Sequence, residues 1–207
     1  MKYIFFDVGY TLVDEFMVWK KRCKEQAQTD EARALGLSAE DIYNEIVEAS
    51  LSHKPQYRTV VKKFNFKEVA PYRHELEELY PETIEVLEKL SKSYKLGIIA
   101  NQSDGLTQRL EEWGILQYFS LIVSSWDCQV MKPDKKIFEI ALEKASCEPC
   151  EAVMVGDRLD NDIYPAKQVG IKTIWIKQGF GGMQPIENDA YKPDLELNSL
   201  SEILDYI

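Results

Sequence analysis

The feature that most constrains this chain is a rhythm. Short apolar runs, each ending at a polar turn, alternate with amphipathic helical patterns. Tyr3-Ile4-Phe5-Phe6 runs into Asp7, and residues 96–100, 121–123, 152–155 and 173–176 repeat the form. Runs this short and this rich in β-branched and aromatic residues read as buried strands. Helical periodicity marks 84–90, 106–113, 137–145 and 163–169, with Gly114 and Gly170 where helices should stop. Strand alternating with helix implies an α/β fold, a doubly wound parallel sheet with helices on both faces.

Residues 14–80 break the rhythm. They hold no clear strand. A helix is expected over 19–35, stopped by Gly36, and Ser38-x-x-Asp41 reads as a capping box opening another through Leu51. Pro55 and Pro71 punctuate the remainder, and Pro81 restarts the main pattern. The expected organisation is a core of residues 1–13 and 81–207 with a helical cap of residues 14–80 inserted after the first strand.

Charge narrows the partners. The chain carries 35 acidic against 25 basic residues, a net charge of −10. Such a surface repels phosphate backbones, which excludes nucleic-acid binding by a general basic patch. No apolar run approaches the roughly 18 residues of a membrane span. The N-terminus meets charge too soon for a secretion signal, so no membrane partner and a cytoplasmic location are expected. Cys147-Glu148-Pro149-Cys150 follows a helix-like stretch and precedes a strand, the reverse of a redox motif, and no second pair exists to complete a zinc site. It reads as structural. His53 and His74, the only histidines, read as surface or packing residues, and Arg58, Lys62 and Lys63 as a solvated face.

Four motifs each follow an expected strand. They are Asp7-Val8-Gly9-Tyr10-Thr11, Ala100-Asn101-Gln102-Ser103, Lys132-Pro133-Asp134 and Gly156-Asp157-Arg158-Leu159-Asp160-Asn161-Asp162. Loops at the carboxyl ends of parallel strands form one crevice, so the motifs converge in space. Three Asp in six residues suggest a hard-cation site. N-capping by Asp160 or Asn161 is the plainer reading of the same residues.

In this order and spacing the motifs resemble the haloacid dehalogenase superfamily, in its phosphatase branch with a helical cap between motifs one and two. The resemblance covers nearly the whole chain and implies a Rossmann-like core of strand order 3-2-1-4-5. It implies a Mg2+-dependent hydrolase of a small phosphomonoester. Asp7 would be the nucleophile and Lys132 its electrostatic partner. Metal ligands would be Asp7, the Gly9 carbonyl and Asp157, with Asp160 or Asp162 holding metal-bound water. Substrate contacts would come from Thr11, Asn101, Gln102 and Ser103.

Two positions depart from the family pattern. The phosphatases usually carry a second Asp two residues after the nucleophile, where this chain has Gly9. General acid–base catalysis is worth about 10²–10⁴-fold, so slow turnover of alkyl phosphates is expected unless another group substitutes. Tyr10, Asp14 and a cap residue are the candidates. Ala100 stands where motif two usually has Ser or Thr. Two alternatives follow: a binding protein without turnover, and a metal-free 2-haloacid dehalogenase, against which the Asp-rich fourth motif argues.

Overall fold

β1 (Tyr3–Phe6) is buried at every position, and its side chains divide between two faces. Ile4 and Phe6 enter one hydrophobic cluster and Tyr3 and Phe5 another, as the two-residue period of a strand requires. A strand apolar on both faces belongs inside a covered sheet. In the computed structural model, which describes all 207 residues, β1 pairs in parallel with β2 (Lys95–Ala100) on one side and β4 (Ala152–Gly156) on the other. β3 (Phe119–Ser124) flanks β2, while β5 (Lys172–Ile176) and β6 (Leu195–Leu197) extend beyond β4. The six-stranded order is β3-β2-β1-β4-β5-β6. It matches the expected order and adds a sixth strand, too short to show a period in the sequence.

Four helices follow β1: α1 (Phe16–Gln26), α2 (Asp30–Ala34), α3 (Ala39–Leu51) and α4 (Gln56–Phe64). The single helix expected over 19–35 is therefore two. The break has a cause on each side of it. Thr29 adopts an extended backbone and caps α2 by accepting from the Ala32 N–H at 3.3 Å. Gln26, fully buried, donates to the Glu68 carbonyl and accepts from the Ala70 N–H and the Tyr57 hydroxyl. The α3 capping box is present, with Ser38 N–H donating to Asp41 at 2.8 Å and the Asp41 N–H to Ser38 Oγ at 3.1 Å. The insertion also contains strand, contrary to expectation. Val13–Asp14 pairs antiparallel with Glu78–Leu79, a two-residue ribbon where the chain leaves and re-enters the core.

α5 (Thr83–Ser91) and α6 (Leu106–Glu112) cover the Ile4 and Phe6 face, through Val86, Leu87, Leu90, Leu106 and Leu110. α8 (Lys135–Ala145) and α9 (Tyr164–Gln168) cover the other, through Ile137, Phe138, Ala141 and Ala166. A short α7 (Ser125–Cys128) follows β3. Cys147 is buried and Cys150 exposed, and both are free thiols. No helix is long and apolar enough to cross a membrane. The direction of strand succession reverses between β1 and β4, so the crevice opens where their carboxyl ends lie side by side.

Candidate active site

Asp7 leaves β1 beside β4, its N–H donating to the Val155 carbonyl at 2.9 Å. Asp157 leaves β4 next to it. Carboxylate oxygens of Asp7, Asp157 and Asp162 all lie within 4.8 Å of one another. Lys132, 2% exposed, sits among them, with Nζ 2.8 Å from Asp7 and 2.5 Å from Asp162. Burial alone would lower the ammonium's pKa, but the charges of Asp162 and Asp7 outweigh it and leave it raised. Burial, with the charges of Asp162 and Asp7 added, pushes the Asp157 carboxyl well above its ordinary value. Asp162 is pushed up to about 6, chiefly by burial and against the pull of Lys132. One buried ammonium against three clustered carboxylates leaves negative charge uncompensated, and all-oxygen donors of this kind suit a hard divalent cation.

Motif four follows β4 as one wide π turn, Leu159–Ile163. The expected N-cap by Asp160 or Asn161 is absent. Arg158 stands at that position with no side-chain cap bond. Asp160 lies outside the carboxylate cluster, its two oxygens held by the Arg158 guanidinium at 3.0 and 2.6 Å and by Gln184 at 2.8 Å. The same guanidinium reaches Gln56 Oε1 at 3.1 Å and the Lys54 carbonyl at 3.4 Å, tying this loop to the cap. Asp162 turns inward because residue 156 is glycine. A Cβ there would lie 2.5 Å from the Asp162 Cγ.

The substrate-contact candidates are placed unevenly. Asn101, Gln102 and Ser103 line the cleft with Asp7, Lys132 and Asp157. Asn101 spends its amide on the Lys132 backbone, donating to the carbonyl at 2.9 Å and accepting from the N–H at 2.7 Å. It positions the lysine. Gln102 accepts from Arg109 at 2.7 Å. Thr11 is fully buried beneath the cleft with its hydroxyl unpartnered. Ala100 is likewise fully buried. Tyr10 lines the cleft, and Asp14 is turned back on the chain, accepting from the Phe16 N–H at 2.8 Å.

The cap supplies the opposite wall, with Trp19, Gln56, Tyr72 and His74. His74, read from sequence as a surface or packing residue, is a wall residue. Its Nε2 lies 2.9 Å from Ser103 Oγ and its Nδ1 3.2 Å from Glu77. Arg58, Lys62 and Lys63 do not line the cleft, and Lys63 pairs with Glu45. The cleft between core and cap has a volume of about 320 Å³.

Glu15 is the residue that sequence reasoning did not name. It lines the cleft at the start of α1, 9% exposed, with Oε2 accepting from Trp19 Nε1 at 2.9 Å. Its carboxylate fills the space where a side chain on residue 9 would begin: Cδ lies 2.8 Å and Oε2 3.2 Å from that Cβ position, and Oε1 overlaps it. Burial pushes the Glu15 carboxyl up to about 7, against the hydrogen bonds of Tyr72 and Trp19. Gly9 itself has an ordinary backbone. The positive φ, 51°, falls on Tyr10.

Comparison with known proteins shows the family. A family model described as haloacid dehalogenase-like hydrolase matches residues 4–176, and the chain belongs to that family. A glyceraldehyde 3-phosphate phosphatase of Pyrococcus furiosus is 30% identical over 229 aligned positions, covering 100% of this chain and 93% of the relative. A protein of the same name from Methanocaldococcus jannaschii is 36% identical over 133 residues, which span 62% of this chain but only 56% of the relative. Among solved structures, a haloacid dehalogenase phosphatase of Thermococcus onnurineus superposes with a TM-score of 0.67 at 27% identity, over 99% of this chain and 97% of that one.

Proposed function

We propose that the protein hydrolyses a small, polar phosphomonoester with Asp7 as the nucleophile. The observation that carries this reading is the cluster of Asp7, Asp157 and Asp162 beyond the adjoining ends of β1 and β4, with Lys132 paired to Asp7 and Asp162, at the base of a cleft lined by Asp7, Asp157 and Lys132. Asp7 and Asp157, with the Gly9 carbonyl, would hold Mg2+, which when bound offsets the charge between a phosphate dianion and a carboxylate nucleophile.

The chain's own groups do the remainder. Asp7 attacks phosphorus and forms an aspartyl phosphate as the alcohol leaves; water then releases inorganic phosphate. Lys132 compensates the charge that gathers on the Asp7 side, and Asn101 fixes Lys132 through its backbone. Asp162 holds Lys132 from the far side. Polar walls from Gln56, His74, Gln102 and Asn161 favour a hydroxylated metabolite over an apolar one. The cap is assigned to residues 14–80, supported by the ribbon at 13–14 and 78–79, which marks both crossings.

The test is a panel of small phosphomonoesters, with p-nitrophenyl phosphate included, assayed for phosphate release with Mg2+ and with EDTA. Mg2+-dependent release from small sugar or triose phosphates is expected. Absence of release from every member with Mg2+ present would leave the binding-protein alternative.

A further inference from the structure

We propose that Glu15, carried on the cap, is the general acid–base residue of this hydrolase, taking the place of the side chain that Gly9 lacks. The proposal rests on the phosphatase reading above and adds to it the identity of the proton donor.

Residues 7 and 9 both line the cleft, and Val8 between them is fully buried. A side chain on residue 9 would start at the Glu15 carboxylate, a group that itself lines the cleft with Asp7. Glu15 delivers a carboxylate to that same place from a different part of the chain. Three features hold it there. The ribbon at Val13–Asp14 fixes the backbone immediately before it. Glu15 stands at the N-cap position of α1, yet its side chain makes no capping bond and is left free to turn inward. Trp19, one helical turn later, donates to Oε2 and aims the group.

Direction matters as much as place. In an in-line displacement the leaving oxygen departs on the side of phosphorus opposite the nucleophile. Asp7 stands on the core, so the alcohol faces the cap, and Glu15 is the carboxyl group that approaches from there. In the first half-reaction the Asp7 oxygen bonds to phosphorus, the ester P–O bond breaks, and the Glu15 carboxyl gives its proton to the departing alkoxide. In the second, the Glu15 carboxylate takes a proton from water as that oxygen bonds to phosphorus. The acyl phosphate P–O bond breaks, Asp7 is regenerated, and Glu15 is again protonated. Tyr10 is the weaker candidate, because its ring is committed to an edge-on contact with Phe180, centroids 5.6 Å apart.

The experiment is single-turnover release of the leaving group from p-nitrophenyl phosphate and from glycerol 3-phosphate, both with saturating Mg2+. Aryl leaving groups need little protonation and alkyl ones need it fully. Glu15→Gln should slow glycerol release about 100-fold or more and p-nitrophenol release by less than about tenfold. Glu15→Ala combined with Gly9→Asp should recover alkyl release at least about tenfold over Glu15→Ala alone, because it returns a carboxylate to the same volume. Thermal melts of each variant establish that it is folded. An alkyl-to-aryl ratio in Glu15→Gln equal to the parent's, or no recovery in a folded double variant, would overturn the assignment while leaving the phosphatase reading intact. A parent inactive on both esters would remove both.

Discussion

The floor and the roof of the cleft are built on different terms. On the floor the charged groups sit in loops beyond the carboxyl ends of the strands and most of them pair: Lys132 with Asp7 and Asp162, and Arg158 with Asp160. On the roof, side chains are held by single hydrogen bonds, Trp19 to Glu15 and Tyr72 to Glu77 within the cap and His74 to Ser103 across to the core. The floor concentrates negative charge of the kind a hard divalent cation balances. The roof holds two carboxyls, Glu15 and Glu77, each pushed up to about 7 by burial, and surrounds them with aromatic rings. The difference teaches a division of labour. On the proposed reading, bond-making to phosphorus falls to the floor, and protonation and substrate fit fall to the roof.

Substitutions can break or sharpen that division. The largest effect is expected on the floor, where Asp7→Asn should lower Mg2+-dependent hydrolysis of p-nitrophenyl phosphate by about 10⁴-fold or more. A loss smaller than tenfold would place the nucleophile elsewhere.

Next is stability without metal. Lys132→Met leaves Asp7 and Asp162 without their counter-charge and should cost roughly 3–5 kcal/mol in urea unfolding with EDTA present. Tyr72→Phe on the roof removes one hydrogen bond and should cost about 1 kcal/mol. Equal costs would erase the contrast between the two walls.

Asp157→Asn tests the floor with opposite signs. It relieves repulsion in the metal-free protein, so the melting temperature in EDTA should rise. It removes a metal ligand, so the further rise that Mg2+ gives the parent should vanish. Identical Mg2+ shifts in parent and variant would rule Asp157 out as a ligand.

The last effect, absent below pH 4.5, concerns the roof alone. The Glu77 carboxyl is raised from 4.5 to about 7 by burial, opposed by the Tyr72 hydrogen bond and the Arg109 charge. The folded state thus holds this proton more tightly than the unfolded one. That contribution to stability is complete below pH 4.5 and fades as pH rises through about 7. Glu77→Gln cannot ionise, so it should gain stability relative to the parent across this window, by up to about 3 kcal/mol. A flat difference in melting temperature over that range would show that Glu77 keeps no proton in the fold.

The two walls also differ in how far the sequence announces them. The floor is legible because each of its groups belongs to a short motif in a loop beyond a parallel strand, immediately for Asp7 and Asp157 and after the short α7 for Lys132, and parallel strands bring these loops together. The roof depends on tertiary contacts with no local signature. Glu15 follows an ordinary Asp and precedes an ordinary helix; only the turn of α1 against Gly9 gives it meaning. His74 lies in a segment whose course is set by Gln26 and Arg22 reaching across to Glu68 and Ala70. The break between α1 and α2 was written in Thr29, a good cap residue inside an otherwise helical pattern, but periodicity on both sides masks it. Asp160 and Asp162 are alike as letters, and a single π turn decides which of them faces Lys132.

The overlap of Glu15 with the side-chain volume of residue 9 also has a consequence for descent. If Glu15 serves as proposed, the two positions should behave as one inherited character with two states: a carboxylate rooted at 9, or a carboxylate rooted at 15. Neither state converts to the other by a single change. Acquiring Asp at 9 first drives one carboxylate into another, and losing Glu at 15 first leaves the cleft without either. A lineage that crosses between them passes through a crowded or an empty intermediate, so homologous sequences should show the two carboxylates as mutually exclusive.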